Sequence, residues 1–298
     1  MRVNPFYLSN LAAALNQSQA NEQQLSAQLS SGVRVNSLSD DPLAAGENVL
    51  LLNQMQRDDS FTQTSSLVQG QLQMADSALG GVVAQLTQAI SLATSANSGT
   101  LNGNDLQSIS NQLAGIRDEV VALANSSYQG QYIFGGSQTA TVPFSISNTS
   151  PAAVTYNGDT NVNSLVTPNG QRIQLNVPGN QIFTAGGAND VLGTLNRLVA
   201  DFGSGQATST AVADTTALST VLNFVSQQRV VLDNSLTRLT AATEAAGNEK
   251  MQLTTAQTNL MQADVANIAT ELSLSKTQQT ALENVIAGLG GGSLFDKL

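Results

Sequence analysis

Apolar residues recur at alternating intervals of three and four residues at both ends of the chain. This spacing places side chains on one stripe of an α-helix, and such a stripe is typical of helices that pack against other helices. In the N-terminal stripe, Ser18 and Glu22 occupy two polar positions among the leucines, which are Leu8, Leu11, Leu15, Leu25 and Leu29. In the C-terminal stripe, Ser275 and Gln279 occupy the polar positions, and the apolar members are Met261, Val265, Ile268, Leu272, Leu282, Ile286 and Leu289. We predict that the two terminal helices pair side by side in a long coiled-coil or bundle core.

Three further stripes of the same kind lie between these two. Their members are Leu72, Ala75, Leu79, Val82, Leu86, Ala89 and Ala93; Leu106, Ile109, Leu113, Ile116, Val120 and Leu123; and Leu218, Leu222, Val225, Arg229, Leu232, Leu236 and Leu239. Asp41 followed by Pro42 predicts the start of a helix, because Asp is a favoured N-cap and Pro a favoured first helical residue. Asn189 and Asp190 predict the cap of a shorter helix.

The middle of the chain has a different composition. Four of the six prolines lie between residues 143 and 178, and six of the twelve aromatic residues lie between 128 and 183. Asn157–Gly158 and Asn169–Gly170 are pairs typical of hairpin turns. Around the second pair, residues 165–167 and 172–177 have the composition and alternation of paired strands.

The expected fold class is therefore mainly α with a small β-rich domain inserted mid-chain. We expect three domains. Residues 1–35 and 262–298 form a terminal helical domain, residues 36–138 and 190–261 form a helical bundle, and residues 139–189 form the β-rich insert.

The terminal stripes raise the question of what buries them. A single amphipathic helix is marginally stable in water. The polar positions at Ser18, Glu22, Ser275 and Gln279 reduce the apolar surface that the two terminal helices can bury between them. We infer that the chain ends become ordered mainly by packing against neighbouring subunits. An ordinary bundle within one chain remains the alternative from periodicity alone.

Composition excludes several classes of function. The chain has no Cys, His or Trp, so disulfides, thiolate nucleophiles and histidine-based catalytic sites are absent. With 11 Lys and Arg against 21 Asp and Glu, the net charge of −10 disfavours nucleic-acid binding. Acidic pairs such as Asp58–Asp59 and Asp118–Glu119 do not converge on a helix, so we expect no catalytic, cofactor or metal site.

No apolar run reaches the roughly 20 residues of a membrane span, and the N-terminus has no signal-peptide pattern.

Residues 31–42 are a polar break between two predicted helices. Taken alone, this segment is a helix–helix connector with a capped second helix. Its sequence, from Ser31-Gly32-Val33-Arg34-Val35-Asn36 into Ser39-Asp40-Asp41-Pro42, resembles the connector of the bacterial flagellin superfamily. The segments 128–136, 156–159, 266–273 and 293–298 are similar to further elements of that superfamily, and the last of them resembles the C-terminus of the members at the hook–filament junction.

The resemblance implies a non-enzymatic structural subunit of the flagellum that is exported through the flagellar type III apparatus with the help of an export chaperone. It implies assembly with copies of itself in a ring, between hook-associated protein 1 and flagellin. It makes Arg34, Asn36, Asp40 and Asp41 candidates for subunit contacts. The apolar residues of the N-terminal and C-terminal stripes are candidates as well. A flagellin-type filament subunit is the alternative function. A third hypothesis, from another class of function, is a hydrolase that uses carboxylates.

Overall fold

The computed structural model describes residues 5–147, 149 and 152–290. Within these ranges the helices are α1 (Pro5–Ser31), α2 (Pro42–Ala96), α3 (Gly103–Ala124), α4 (Gly179–Phe183), α5 (Val191–Gly203), α6 (Ser209–Met261) and α7 (Val265–Gly290). A short 3₁₀ turn spans Gly187–Asn189. The strands are β1 (Ser127–Tyr128), β2 (Gln131–Tyr132), β3 (Phe144–Ile146), β4 (Val154–Tyr156), β5 (Ser164–Val166) and β6 (Arg172–Gln174). The predicted fold class is confirmed: long terminal helices pack together and a small β region lies in the middle.

The chain divides into two compact units. The first contains the residues up to Arg57 and those from Asn248 onward, and the second contains Asp58–Gly247. In the first unit α1 packs along α7, and an antiparallel bridge joins Val33 to Gln262.

The second unit holds one apolar core. The predicted stripe from Leu72 to Ala93 is buried throughout, and its central members Leu79, Val82 and Leu86 are completely inaccessible to solvent. Against it lie the buried apolar residues of α3, α5 and α6, and α3 packs directly on α5. These helices form because each carries one apolar stripe that the neighbours cover.

Side chains cap the helices at the positions where the sequence breaks the stripes. Asp41 accepts the backbone N–H of Ala44 at 3.0 Å and so caps α2, and Asp190 accepts that of Gly193 at 2.9 Å and so caps α5. Both predicted helix starts are confirmed. Asn102 caps α3 in a reciprocal capping box with Asp105.

One of the two predicted hairpin turns is confirmed and the other is wrong. Around Asn169–Gly170, β5 pairs with β6 in the register Leu165 to Ile173, and Gly170 adopts a positive φ of 84°. Asn157 instead continues the ladder between β3 and β4, because its N–H donates to the carbonyl of Pro143 at 2.7 Å. The β3–β4 connection therefore runs through residues 147–153, and Asn157–Gly158 follows the hairpin rather than turning it.

The β region shares its core with the helices. Phe134, Phe144 and Phe183 are buried and belong to the same apolar cluster as the stripe on α2. Their rings make edge-to-face contacts, with centroids 5.3 Å apart between Phe134 and Phe183 and 5.4 Å apart between Phe144 and Phe183. The division of the chain into three domains stays a prediction.

Candidate subunit-contact surface

The seam of α1 is only partly covered in the single chain. Leu11, Leu15, Leu25 and Leu29 are half-buried, whereas Ser18 is 9% exposed. The helix includes Leu8, but the side chain of Leu8 lies outside the described part of the structure. Ser18, a polar interruption of the apolar stripe in the sequence, is thus more buried than the leucines on either side of it in the stripe.

The seam of α7 has the same character. Ile268 and Ser275 are buried, while Leu272, Leu282 and Ile286 are half-buried. Val265 is 52% exposed at the first position of α7. The small serine side chains lie where the helix pair is most enclosed, and the larger apolar side chains on both helices keep part of their surface in water.

A groove runs between α1 and α7. It has a volume of about 440 Å³, and its lining residues are Ala14, Gln17, Ser18, Asn21, Leu25, Glu271, Leu274, Ser275, Gln278 and Leu282. Lys276 Nζ lies 3.9 Å from Glu22 Oε1, a long ion pair between two partly exposed side chains that contributes little stability. Apart from the carboxylate of Glu271, the groove is lined by amide, hydroxyl and apolar side chains.

Arg34 ties the connector to the end of α6. Its backbone N–H donates to the carbonyl of Met261 at 2.7 Å, and its Nη2 donates to the carbonyl of Leu260 at 3.3 Å. Its Nη1 donates to Oδ2 of Asp41 at 3.0 Å, and its own carbonyl accepts Nε2 of Gln28 at 2.7 Å. One residue thus links the end of α1, the start of α2 and the last turn of α6.

The two predicted acidic residues of the connector fold their carboxylates onto local backbone. Asp40 Oδ2 accepts the N–H groups of Asn36 and Ser37, both at 2.9 Å, and the bond from Ser37 is the main cause that lowers the pKa of Asp40 below 3.8. The pKa of Asp41 is also lowered, first by the N–H of Ala44 and then by Arg34. Asn36 Nδ2 donates to the carbonyl of Val33 at 3.2 Å. These four side chains hold the connector in shape, and their role in subunit contacts stays a prediction.

Two residues that position this surface escaped the sequence reasoning. Asp264 caps α7, since its Oδ1 accepts the N–H groups of Ala266 at 3.0 Å and Asn267 at 3.1 Å. The predicted stripe from Met261 to Val265 therefore crosses a break between two helices, and an Asp directly before an apolar helix start was the available signal. Gln28 reaches Arg34 across the end of α1, and no sequence pattern marks that bond.

The start of α2 exposes leucines that the sequence reasoning did not select. Leu43 is 73% exposed and Leu50 is 69% exposed. Leu50 lies on the rim of a second cavity, of about 470 Å³, lined by Glu47, Leu50 and Leu51 of α2 and by Ala256, Asn259 and Leu260 of α6. Three consecutive leucines at 50–52 cannot all lie on one buried face of a helix, and Leu52 is 45% exposed as well.

Within the described ranges no three His, Cys, Asp or Glu side chains come together as a metal site. None of the described helices is long and apolar enough to cross a membrane.

Comparison with known proteins shows which proteins this chain resembles. Residues 6–139 match the family model of the bacterial flagellin N-terminal helical region. The flagellar hook-associated protein 3 of Escherichia coli K12 is 25% identical, over 97% of this chain and 96% of its own length. That of Salmonella typhimurium LT2 is 34% identical over 46% of this chain and 44% of its own length.

The N-terminal part of the chain is thus similar to the corresponding region of bacterial flagellins. A solved structure assigned as a flagellar hook-associated protein of Vibrio parahaemolyticus shares the fold, with a TM-score of 0.64 at 19% identity, over 75% of this chain and all of that one. The matched residues 6–139 include α1 from its second residue, the connector and α2.

Proposed function

We propose that this chain is a structural subunit of the bacterial flagellum, located at the junction between hook and filament. The observation that carries the proposal is the similarity to the E. coli hook-associated protein 3, which extends over 97% of this chain and 96% of the relative. A match confined to the helical N-terminal region would favour no member of the superfamily over another.

The half-buried seams explain how such a subunit would assemble. Leu11 and Leu15 on α1 and Leu272 and Leu282 on α7 keep apolar surface in contact with water in the single chain. Removing apolar surface from water contributes roughly 25 cal/mol per Å², so neighbouring subunits that cover these seams stabilise the helices and the assembly together. The role is mechanical and requires no catalytic group.

The proposed partners follow from the position of the subunit. Copies of the chain form a ring, hook-associated protein 1 lies on the hook side and flagellin on the filament side. Before assembly the chain is exported through the type III apparatus and is held by an export chaperone in the cell. Its place of action is then outside the cell, in the flagellum.

The location of the chain tests the proposal. An epitope tag inserted after Asn169 lies at the exposed β5–β6 turn, away from both terminal helices in sequence. In a strain that carries only the tagged copy, we expect immunogold label at a single point between hook and filament and a copy number far below that of flagellin. Label along the whole filament would support the flagellin-type alternative instead.

Self-polymerisation separates the same two possibilities in vitro. A junction subunit forms short rings or remains monomeric without its neighbours. Long filaments formed by the purified chain alone would contradict the junction assignment and favour a filament subunit.

A further inference from the structure

A polar cavity lies between α3 and α5 in the second unit. Its volume of about 570 Å³ falls in the range of about 300–1,000 Å³ that is usual for small-molecule sites. Arg117 is the only charged residue among the described lining residues, and none of them is aromatic. The walls otherwise consist of amide, hydroxyl and small apolar side chains, among them Asn111 and Ala114 of α3 and Asn196 of α5.

The guanidinium of Arg117 is buried but only partly bonded. The side chain is 9% exposed, whereas arginine is rarely buried to this extent. A guanidinium has five N–H donors. Nε and Nη2 donate to Oδ1 of Asp118 at 2.9 and 2.7 Å, and Nη1 donates to Oδ1 of Asn196 at 3.2 Å. One N–H of Nη1 and one of Nη2 therefore have no acceptor among the described residues.

Asp118 does not fill this vacancy, because it pairs with Arg117 from outside the cavity. It is not among the residues that line the cavity, and its side chain is 56% exposed, so water weakens its attraction for the guanidinium. Nε and Nη2 donate to the same oxygen of Asp118. The carboxylate thus occupies one edge of the planar group and leaves N–H groups on Nη1 and Nη2 for a second acceptor.

The neighbouring amide supplies a further donor. Asn196 uses its Oδ1 to accept from Arg117, and its Nδ2 has no hydrogen-bond partner among the described residues. Asn111 is exposed at the opening of the cavity. The hydroxyl of Ser110 donates to the carbonyl of Val199 at 2.7 Å, so its proton is already used. The unused groups beside Arg117 are therefore N–H donors, and they match a ligand that carries acceptor oxygens.

We propose that this cavity binds a carboxylate, held by the two free N–H groups of Arg117 and by Nδ2 of Asn196. A carboxylate accepts paired hydrogen bonds from one guanidinium. Asp118 repels further negative charge, which favours a singly charged carboxylate over a phosphate. The absence of aromatic residues from the described lining leaves no ring on which a sugar could stack. The carboxylate belongs to a free organic acid or to an acidic side chain of an extended peptide.

Titration of the ¹⁵N-labelled full-length chain tests the proposal by nuclear magnetic resonance at constant ionic strength. We expect propionate to shift the signals of Asn111, Arg117 and Asn196 in a saturable way, and propionamide to leave them in place. The net charge of −10 repels anions in general, so a saturable shift reports local recognition. No shift with propionate, or an equal shift with propionamide, would overturn the proposal.

A second pair of probes distinguishes the two sources of the carboxylate. The blocked peptide acetyl-Gly-Glu-Gly-amide carries one carboxylate, and the same peptide with Gln in place of Glu carries none. Tighter binding of the Glu peptide than of propionate would identify an acidic peptide as the ligand. Tighter binding of propionate would identify a free organic acid. Equal binding of the Glu and Gln peptides would contradict recognition of the charge.

Variants of the cavity test the residues. Arg117→Gln should weaken propionate binding about tenfold or more, because charge-assisted hydrogen bonds are lost. The matched control is Arg197→Gln, which removes the same charge from an exposed arginine of α5 that pairs with Asp214 at 3.0 Å. Ala114→Leu keeps Arg117 and narrows the cavity, so it should also weaken binding while circular dichroism shows the helices intact. Unchanged binding in the folded Ala114→Leu variant would overturn the proposed site.

The neighbouring acid gives a test in the opposite direction. Asp118→Asn retains an oxygen that accepts from Arg117 but removes the negative charge beside the site. We expect it to bind propionate several-fold more tightly than the natural chain does, and weaker or unchanged binding would contradict the proposal. This inference does not depend on the flagellar role, because every measurement uses the purified chain alone.

Discussion

Arg229 and Asp76 form a two-pronged ion pair between α6 and α2. Nε of Arg229 donates to Oδ1 at 2.7 Å and Nη2 donates to Oδ2 at 3.0 Å. The hydrogen bonds to Asp76 are the main cause that raises the pKa of Arg229 above its usual value. A charged residue in an otherwise apolar stripe is thus matched by a carboxylate on the facing helix, and the pair specifies which turns of α2 and α6 lie opposite each other.

Breaking this pair should weaken the second unit modestly. Both side chains are about one-third exposed, and solvent screens their attraction. We expect Asp76→Ala and Arg229→Ala each to lower the free energy of unfolding by about 1 kcal/mol. A double-mutant cycle in urea should show that the two losses do not add. Additive losses would contradict a direct coupling, and Glu119→Ala on the exposed face of α3 serves as a neutral control.

The aromatic cluster should be more sensitive. Phe183 is completely buried and its ring contacts those of Phe134 and Phe144. Phe→Ala changes in cores cost about 3–5 kcal/mol, so we expect Phe183→Ala to lose that much in urea unfolding followed by the helical circular dichroism signal. The control is Val142→Ala, at a side chain that is 43% exposed. If Phe183→Ala leaves helix unfolding unchanged, the β region does not share a core with the helices.

Asp159 makes the stability of the β region depend on pH. Its carboxylate accepts the N–H of Ser137 at 2.8 Å and that of Asn161 at 3.0 Å, and also the hydroxyl of Ser137. These bonds, with the Ser137 hydroxyl first, lower the pKa of Asp159 from 3.8 to about 2. Because the folded pKa is the lower one, the stabilisation is complete above pH 3.8 and is lost as the pH falls toward about 2.

Replacement of that carboxylate should remove this part of the acid sensitivity. We expect the melting temperature of Asp159→Asn to lie below that of the natural chain above pH 3.8 and to approach it as the pH nears about 2. Glu119→Gln, at an exposed position of α3, should follow the natural chain across the same range. A constant difference between Asp159→Asn and the natural chain at every pH would contradict the assignment.

A charge in the terminal seam should block assembly. Leu272 is half-buried in the single chain, and we expect neighbouring subunits to bury it fully. Burial of an unpaired carboxylate costs several kcal/mol. Leu272→Asp and Leu15→Asp should therefore be secreted normally but absent from purified flagella, and cells that carry them should not swim. Ser273→Asp, at the exposed adjacent position, should swim, and swimming of Leu272→Asp cells would contradict the account.

The sequence predicts local features of this fold well. Leu79, Val82 and Leu86 are buried because helical periodicity alone determines which side of α2 they share. The caps at Asp41 and Asp190 follow from short-range rules on helix starts. These features depend on residues within one or two helical turns of each other, so residues close together in the sequence are enough to predict them.

The sequence does not predict features that depend on distant residues. Arg34 meets the carbonyl of Leu260 across 226 positions of the chain, and no spacing rule links the two. Asn157–Gly158 has the composition of a turn, but the pairing of β3 with β4 extends through Asn157 and overrides that preference. Ser18 interrupts an apolar stripe in sequence, yet it is deeply buried because its small side chain fits where α1 and α7 come close.

Hydrogen exchange of free and assembled chains tests the central claim, that the terminal helices find their stabilising partners in other subunits. In the purified monomer we expect weak amide protection over residues 8–29 and 265–289 and strong protection over 72–93 and 106–123. In intact flagella the terminal residues should become as protected as the internal helices. Strong protection of both terminal segments in the free monomer, unchanged on assembly, would contradict the claim.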